Sequence, residues 1–180
     1  EVTGYPGTPG LDSIEGVVVN SDVRTTGGFT CSNQLINDIH RNVVWGQLSN
    51  MVSIPTDCPQ RDERLGWTGD AQLAVEEALY NFDAAPFFAK YVRDIRVAQR
   101  EDGALPNFAP SGELSFPSDP AWGIAGIIVP WYLYLHCGDR RILEENYEMM
   151  RRWVEYLESQ SEGHVTKITK YGDWCPPGQI

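Results

Sequence analysis

The chain is predicted to be all-α, forming part of a double-layered helical toroid. Three observations carry that prediction. From Ser32 onward, apolar residues recur at helical spacing in five successive segments. One segment, from about Pro120 to His136, is apolar nearly all round, whereas its neighbours carry a single apolar face. Long loops rich in Gly, Pro and charge separate short helix–helix connections. A helix buried on all sides among helices buried on one side is the pattern of an inner layer wrapped by an outer one.

The elements follow in order. Residues 1–30 differ from the rest: the first ten are loop by composition, and Gly16 to Val23 reads as one β-strand. A lone strand is not stable, so this stretch is expected to be a linker and strand belonging to a preceding β-domain. Residues 31–180 are expected to be the N-terminal part of the helical barrel. Ser32 or Asn33 caps a first helix with Leu35, Ile36, Ile39 and Val43 on one face. A second helix begins near Gly69 or Asp70, with Thr68 as its cap, and points Leu73, Ala74, Ala78, Leu79 and Phe82 inward. Asp83, with Pro86 in the first turn, opens a third, whose apolar face is Phe87, Phe88, Tyr91, Val92 and Ile95.

Glu101 to Asp119 is a second long loop. The fourth helix follows, apolar throughout and kinked by Pro130. Gly138-Asp139 ends it and caps a fifth, from about Arg140 to Ser161, which presents Leu143, Tyr147, Met150, Val154 and Leu157. His164 to Lys170 forms a short strand before Tyr171-Gly-Asp-Trp174. Five helices are fewer than half of a twelve-helix toroid, so the chain is expected to be a fragment of a longer polypeptide.

Composition narrows the function. The net charge of −11 repels phosphate backbones, which argues against nucleic-acid and anionic-membrane partners and leaves neutral ligands such as sugars compatible. Cys31, Cys58, Cys137 and Cys175 lack CxxC spacing, so no zinc site is expected, and they read as free thiols. The most apolar run, Ala121 to Leu135, is too short and too broken by Pro130 to span a membrane. The opening residues do not read as a signal peptide, and localisation stays open between cytoplasmic and secreted. Nucleotide-binding glycine motifs are absent, and no cofactor is expected.

The chemistry concentrates between Thr56 and Asp70. Four carboxylates (Asp57, Asp62, Glu63, Asp70) and two guanidinium groups (Arg61, Arg64) share that segment with Trp67. A core could not hold so many charges, and a solvated loop has no need of the indole, so the segment reads as the wall of a polar, water-poor cleft. Carboxylates in such a wall are pushed apart in pKa by burial and by one another. Two carboxyl groups in different protonation states are what acid/base cleavage of a glycosidic bond requires. Simpler readings stand beside this one. Asp62-Glu63 with its arginines could be a charged surface turn, Asp57 a turn former between Pro55 and Pro59, and Asp70 a carboxylate favoured by a helix N-terminus.

Trp67, Trp122 and Trp174 sit beside or within two residues of glycine in or next to loops, where they can stack on a sugar ring or close the edge of the core. Trp45, Trp131 and Trp153 lie within helices and read as packing. Asp102, Glu113, Asp119 and Asp173 lie in the later loops, and spacing does not say which of them faces the acidic segment. His40, His136 and His164 form no catalytic or metal-binding pattern.

The run Asp57-Cys-Pro-Gln-Arg-Asp-Glu-Arg-Leu-Gly-Trp-Thr-Gly-Asp-Ala-Gln72 resembles the signature of the bacterial-type α-L-rhamnosidases of glycoside hydrolase family seventy-eight. Supporting matches span nearly the whole chain: Thr3-Gly-Tyr-Pro-Gly7, Ile39-His-Arg-Asn-Val43, Trp45-Gly-Gln47, Asp102-Gly-Ala-Leu-Pro106, Ala121-Trp-Gly123, Val129-Pro-Trp131 and Tyr171-Gly-Asp-Trp174. The resemblance implies an (α/α)6 barrel preceded by β-sandwich domains, and removal of terminal α-L-rhamnose with inversion. It implies Glu63 as the general acid. Asp57, Arg61, Asp62 and Asp70 match positions that bind or orient the sugar, and Trp67, Trp122 and Trp174 match its aromatic walls.

Two departures stand out. Ile124 occupies a position where the family often has Asp, which removes a polar pocket contact. The family's general base is a glutamate from a later part of the barrel, beyond Ile180. The partners implied are a rhamnose-containing glycoside and the rest of the parent polypeptide. The isolated fragment is expected to be inactive and to self-associate through exposed barrel faces such as that of Ile127 and Ile128. A non-catalytic carbohydrate-binding or scaffold fragment is the alternative. A cation site at Asp57, Asp62, Glu63 and Asp70 is a third reading, disfavoured because Arg61 and Arg64 compete for the same oxygens.

Overall fold

The structure, a computed structural model, describes residues 2–174 together with 177 and 178. It is helical, as the periodicity predicts: α1 (Gln34–Ser49), α2 (Thr68–Asn81), α3 (Ala85–Val97), a single turn α4 (Pro120–Gly123), α5 (Ala125–Cys137) and α6 (Arg141–Ser159). Two small hairpins complete it, β1 (Met51–Val52) with β2 (Ile54–Pro55), and β3 (Ser161–Glu162) with β4 (Val165–Thr166). Among the described residues no helix is long and apolar enough to cross a membrane.

The local signals act as their chemistry requires. Asn33, not Ser32, caps α1: its Oδ1 accepts the Leu35 N–H at 3.0 Å. Pro86 sits in the first turn of α3, where its missing N–H costs nothing. Gly138 ends α5 with φ +68°, the left-handed conformation that glycine adopts freely.

The central helix is α5, which packs against α2, α3 and α6, while α1 packs on α2. All five apolar residues expected of α3 are buried, and they meet Val75, Ala78 and Phe82 of the α2 end, Val129 and Leu133 of α5, and Trp153 of α6 in one core. The short connections α2–α3 and α5–α6 lie at one end of these hairpins. The long segments 51–67, 98–119 and 160–174 therefore gather at the other end, and that is what positions the site.

Four expectations are corrected. Gly16 to Val23, expected as a strand, forms no ladder among the described residues, and the N-terminal stretch meets the helices through backbone bonds such as Ser21 N–H to the Met51 carbonyl at 2.6 Å and a bridge of Thr25 with Phe82. The expected fourth helix is broken after Gly123 into α4 and α5. It is also not buried all round: Trp131 and Leu135 are exposed, as is Trp45 on α1. On α2 the inward stripe is Ala71, Val75 and Ala78, and Leu73 is 83% exposed. On α6 it is Asn146, Met149 and Trp153, which leaves Tyr147 and Val154 outside. The cause is common to the two helix faces. A helix with apolar residues on two faces offers either to a neighbour, and the packing partner chooses. Here Arg96 of α3 favours the Asn146, Met149 and Trp153 stripe of α6 by donating to Asn146 Oδ1 at 3.1 Å and to the Glu145 carbonyl at 2.7 Å.

Candidate active site

At the loop end of the hairpins a pocket of about 360 Å³ is lined by Asp57, Arg61, Glu63, Trp67, Asp70, Trp122, Tyr171 and Trp174. Its size lies in the range of small-molecule sites, about 300–1,000 Å³. Three segments supply it: the loop between β2 and α2 with the first turn of α2, the turn α4, and the loop after β4.

The first wall is stitched in place through the backbone. Leu65 C=O accepts from Asp57 N–H at 3.1 Å, Gly66 C=O from Ala109 N–H at 2.9 Å, and Asn107 C=O from Thr68 N–H at 2.9 Å. The buried Tyr91 hydroxyl also donates to Gly66 C=O at 2.7 Å, and burial pushes that phenol well above its usual pKa. A Cβ at Gly66 would collide with the carbonyl oxygen of Ala109, so only glycine lets these two strands of loop approach. Asn107, fully buried, fastens the opposite side: its Nδ2 donates to the carbonyls of Ser115 and Pro117, each at 2.8 Å, and its Oδ1 accepts Asp119 N–H at 2.7 Å.

Arg61 organises the charges. Its Nη2 lies 3.0 Å from Glu63 Oε2 and 3.5 Å from Asp57 Oδ2, and its Nε donates to Cys58 Sγ at 3.2 Å. Glu63 Oε1 accepts the indole N–H of Trp67 at 2.8 Å. The cluster of Asp57, Cys58 and Glu63 has its donor atoms within 4.8 Å of one another, but its cation is the Arg61 guanidinium, so the arrangement does not suit a metal ion. Asp57 is nearly enclosed, with a side chain 7% exposed, and its Oδ1 is buried without a partner among the described residues. Glu63 is not enclosed, its side chain being 30% exposed; the expectation of a water-poor hollow around it is corrected to a half-open rim. Asp70 is the carboxyl whose pKa is raised, by partial burial first and then by the negative charges of Asp57 and Glu63.

The aromatic wall centres on Tyr171. Its ring lies 4.7 Å from that of Trp122, 5.5 Å from Trp67 and 6.0 Å from Trp174. A Cβ at Gly69 would lie 2.8 Å from Trp122 Nε1, so a glycine in the first turn of α2 is what allows that indole to lie against the helix.

A pocket with these walls can be compared with known proteins. The sequence model of the bacterial α-L-rhamnosidase six-hairpin glycosidase domain matches residues 24–180. The chain belongs to this family. An α-L-rhamnosidase of Streptomyces avermitilis is 41% identical over 174 residues, which are 97% of this chain and 17% of the relative. One from Formosa agariphila is 37% identical over 179 residues, or 98% of this chain and 19% of the relative. Among solved structures, the α-L-rhamnosidase from Dictyoglumus thermophilum superposes with a TM-score of 0.94 at 54% identity, over 98% of this chain and 20% of that one. The Streptomyces avermitilis α-L-rhamnosidase complexed with L-rhamnose superposes with a TM-score of 0.92 at 40% identity, over 96% and 17%. The chain thus spans less than a quarter of the length of these relatives, and its helices are those of a six-hairpin glycosidase domain.

Within this rhamnosidase-family domain the fold brings together seven of the eight residues singled out from the sequence; Asp62 does not line the pocket. The turn through Arg64, whose φ is +44°, brings Arg61 and Glu63 to the pocket and leaves Asp62 exposed. Arg64 donates to the Pro59 carbonyl at 2.9 Å and stays out of the charge cluster. Ile124 is not in the lining either. Of the later acids, Asp102 caps the Ala104 N–H, Glu113 pairs with Arg100, and Asp173 is not in the lining. Asp119 is buried behind it. His40 and His136 bond Asn81 and Glu76. Cys31, Cys58 and Cys137 are free thiols, and Cys175 lies outside the described residues. Sequence reasoning missed Tyr171 and Cys58; both fall in quoted motifs, and their signal was adjacency to a residue already chosen.

Proposed function

We propose that this domain forms the acid side of the active site of an inverting α-L-rhamnosidase. The supporting observation is Glu63 at the rim of an aromatic pocket, hydrogen-bonded to Trp67 and flanked by Arg61. In this reading a terminal rhamnosyl unit enters with its ring against Trp67, Trp122, Tyr171 and Trp174. Asp57, Arg61 and Asp70 take its hydroxyls, and the unpartnered Oδ1 of Asp57 accepts one of them. Asp62 joins them only if the 61–64 turn shifts on binding.

Glu63 gives its proton to the glycosidic oxygen as the bond to the anomeric carbon breaks. Water attacks that carbon from the opposite face and loses its proton to a second carboxylate. That base must stand about 6.5–9.5 Å from the acid to leave room for water. Asp57 is too close to Glu63 for this task, so the base is assigned to another part of the parent polypeptide. On this reading residues 1–180 alone turn over no aryl α-L-rhamnoside, and the exposed apolar residues of α1 and α5 make the isolated chain self-associate in light scattering.

The deciding experiment is Glu63→Gln in the full-length parent. Hydrolysis of a rhamnoside with a poor leaving group should fall by about a thousandfold or more, within or beyond the range for lost general acid catalysis, while an activated aryl rhamnoside should be affected less. Unchanged hydrolysis of both would refute the assignment. Rhamnose binding without turnover by the intact parent would favour the non-catalytic alternative.

A further inference from the structure

We propose that Asp119 is the positioning residue that assembles the aromatic wall of the pocket. This rests on the rhamnosidase reading only for its kinetic consequence. Asp119 is 2% exposed and does not line the pocket. Yet its carboxylate joins two pieces of wall about fifty residues apart in the chain. Oδ1 accepts the Ala121 N–H at 3.0 Å and so caps α4, the turn that carries Trp122. Oδ2 accepts the backbone N–H groups of Lys170 at 2.8 Å and Tyr171 at 2.9 Å, and the Thr169 hydroxyl at 3.3 Å.

A helix cap needs only one of these bonds. The second oxygen is devoted to a stretch with no regular structure of its own between β4 and Trp174. Its remaining ties are one backbone bond near its start, Lys167 N–H to the Gln160 carbonyl at 3.0 Å, and side-chain bonds, chiefly Lys170 Nζ to the carbonyls of Phe116 at 3.1 Å and Leu114 at 3.4 Å, and Thr169 Oγ1 accepting the Gly172 N–H at 3.0 Å. Tyr171, the residue Asp119 holds, touches all three tryptophan rings of the pocket. The backbone that carries this carboxylate is itself fixed from behind, because Asn107 Oδ1 accepts the Asp119 N–H. One buried anion therefore sets the relative position of Trp122 and Tyr171, and a buried anion with several donors is a rigid pin rather than a mobile contact.

The test uses the full-length parent carrying Asp119→Asn, with Thr169→Ser, which keeps the hydroxyl, as the control for Thr169→Val, a milder variant that removes one donor to Asp119 together with the acceptor of the Gly172 N–H. Asn offers a single acceptor oxygen, so it can serve the α4 cap or the 169–171 loop but not both. Near-UV circular dichroism reads the coupled aromatic rings directly, and aryl α-L-rhamnoside kinetics read their use. Asp119→Asn should change the near-UV signal, read as a difference spectrum against the wild-type parent, at unchanged far-UV signal, and should raise KM about tenfold with kcat changed less than about threefold; Thr169→Val should show the same pattern more weakly. Retention of the aromatic signal, or a fall in kcat with KM unchanged, overturns the proposal. If Asp119→Asn does not fold, Thr169→Val alone decides by the same criteria. If the wild-type parent neither binds nor cleaves rhamnosides, the functional reading fails, and the circular dichroism result still decides for or against the positioning role.

Discussion

Trp67 Nε1 donates to Glu63 Oε1 at 2.8 Å, four residues along the chain and across the entry to α2. The same indole packs edge-on against Phe108 at 5.2 Å and Tyr171 at 5.5 Å. Trp67 therefore serves two purposes, forming the pocket floor with its ring and orienting Glu63 with its N–H.

Trp67→Phe separates these purposes. Phenylalanine keeps an aromatic face and removes the donor. Loss of one hydrogen bond, about 0.5–1.5 kcal/mol, corresponds to roughly two- to tenfold. The expected result in the full-length parent is a fall of that size in kcat/KM on an aryl α-L-rhamnoside, with thermal stability nearly unchanged.

Gly69→Ala adds a methyl group where Trp122 Nε1 would be 2.8 Å away. Alanine is the better helix former by about 1 kcal/mol in a helix interior, and less within a first turn. The melting temperature should hold or rise slightly, while KM rises several-fold because the indole is displaced. A stability loss with unchanged KM would contradict the role given to this contact.

Asp70 carries a pH signature. Its folded pKa is raised by partial burial and by the charges of Asp57 and Glu63, so ionisation opposes folding. The penalty is absent below the unfolded value, near 3.9, and develops as pH rises through the folded value. Asp70→Asn should therefore raise the melting temperature at pH 7 and lose that advantage near pH 3.5, while weakening rhamnoside binding. Equal effects at both pH values would show that charge is not the cause.

Asn107→Leu keeps the volume of a fully buried side chain and deletes its bonds to Ser115, Pro117 and Asp119. Buried groups left without partners cost about 1–3 kcal/mol each. A loss on the order of 3 kcal/mol is expected, read as a lower denaturation midpoint. Asn107→Asp should not rescue it, because Asp has no Nδ2 donors.

The helices, the α3 face and seven of the eight pocket-lining residues were legible in the sequence, because helical periodicity and the dense 56–70 segment are local signals. Which face of α2 and α6 turned inward was not legible. Both helices carry apolar residues on more than one side, and α5 and Arg96 made the choice. The expected strand at 16–23 did not form among the described residues, since a β-propensity run acquires a ladder only when another strand meets it.

Sequence by itself determined that this chain is helical and that acids, guanidinium groups and indoles crowd one short segment. Only the tertiary structure decided that Asp62 stays outside, that Tyr171 joins the tryptophans, and that Asp119 serves the pocket from behind. The physical reason is distance along the chain. Periodicity reports contacts a few residues apart, whereas the bonds that assemble this pocket link residues about forty to fifty apart and exist only once the hairpins pack.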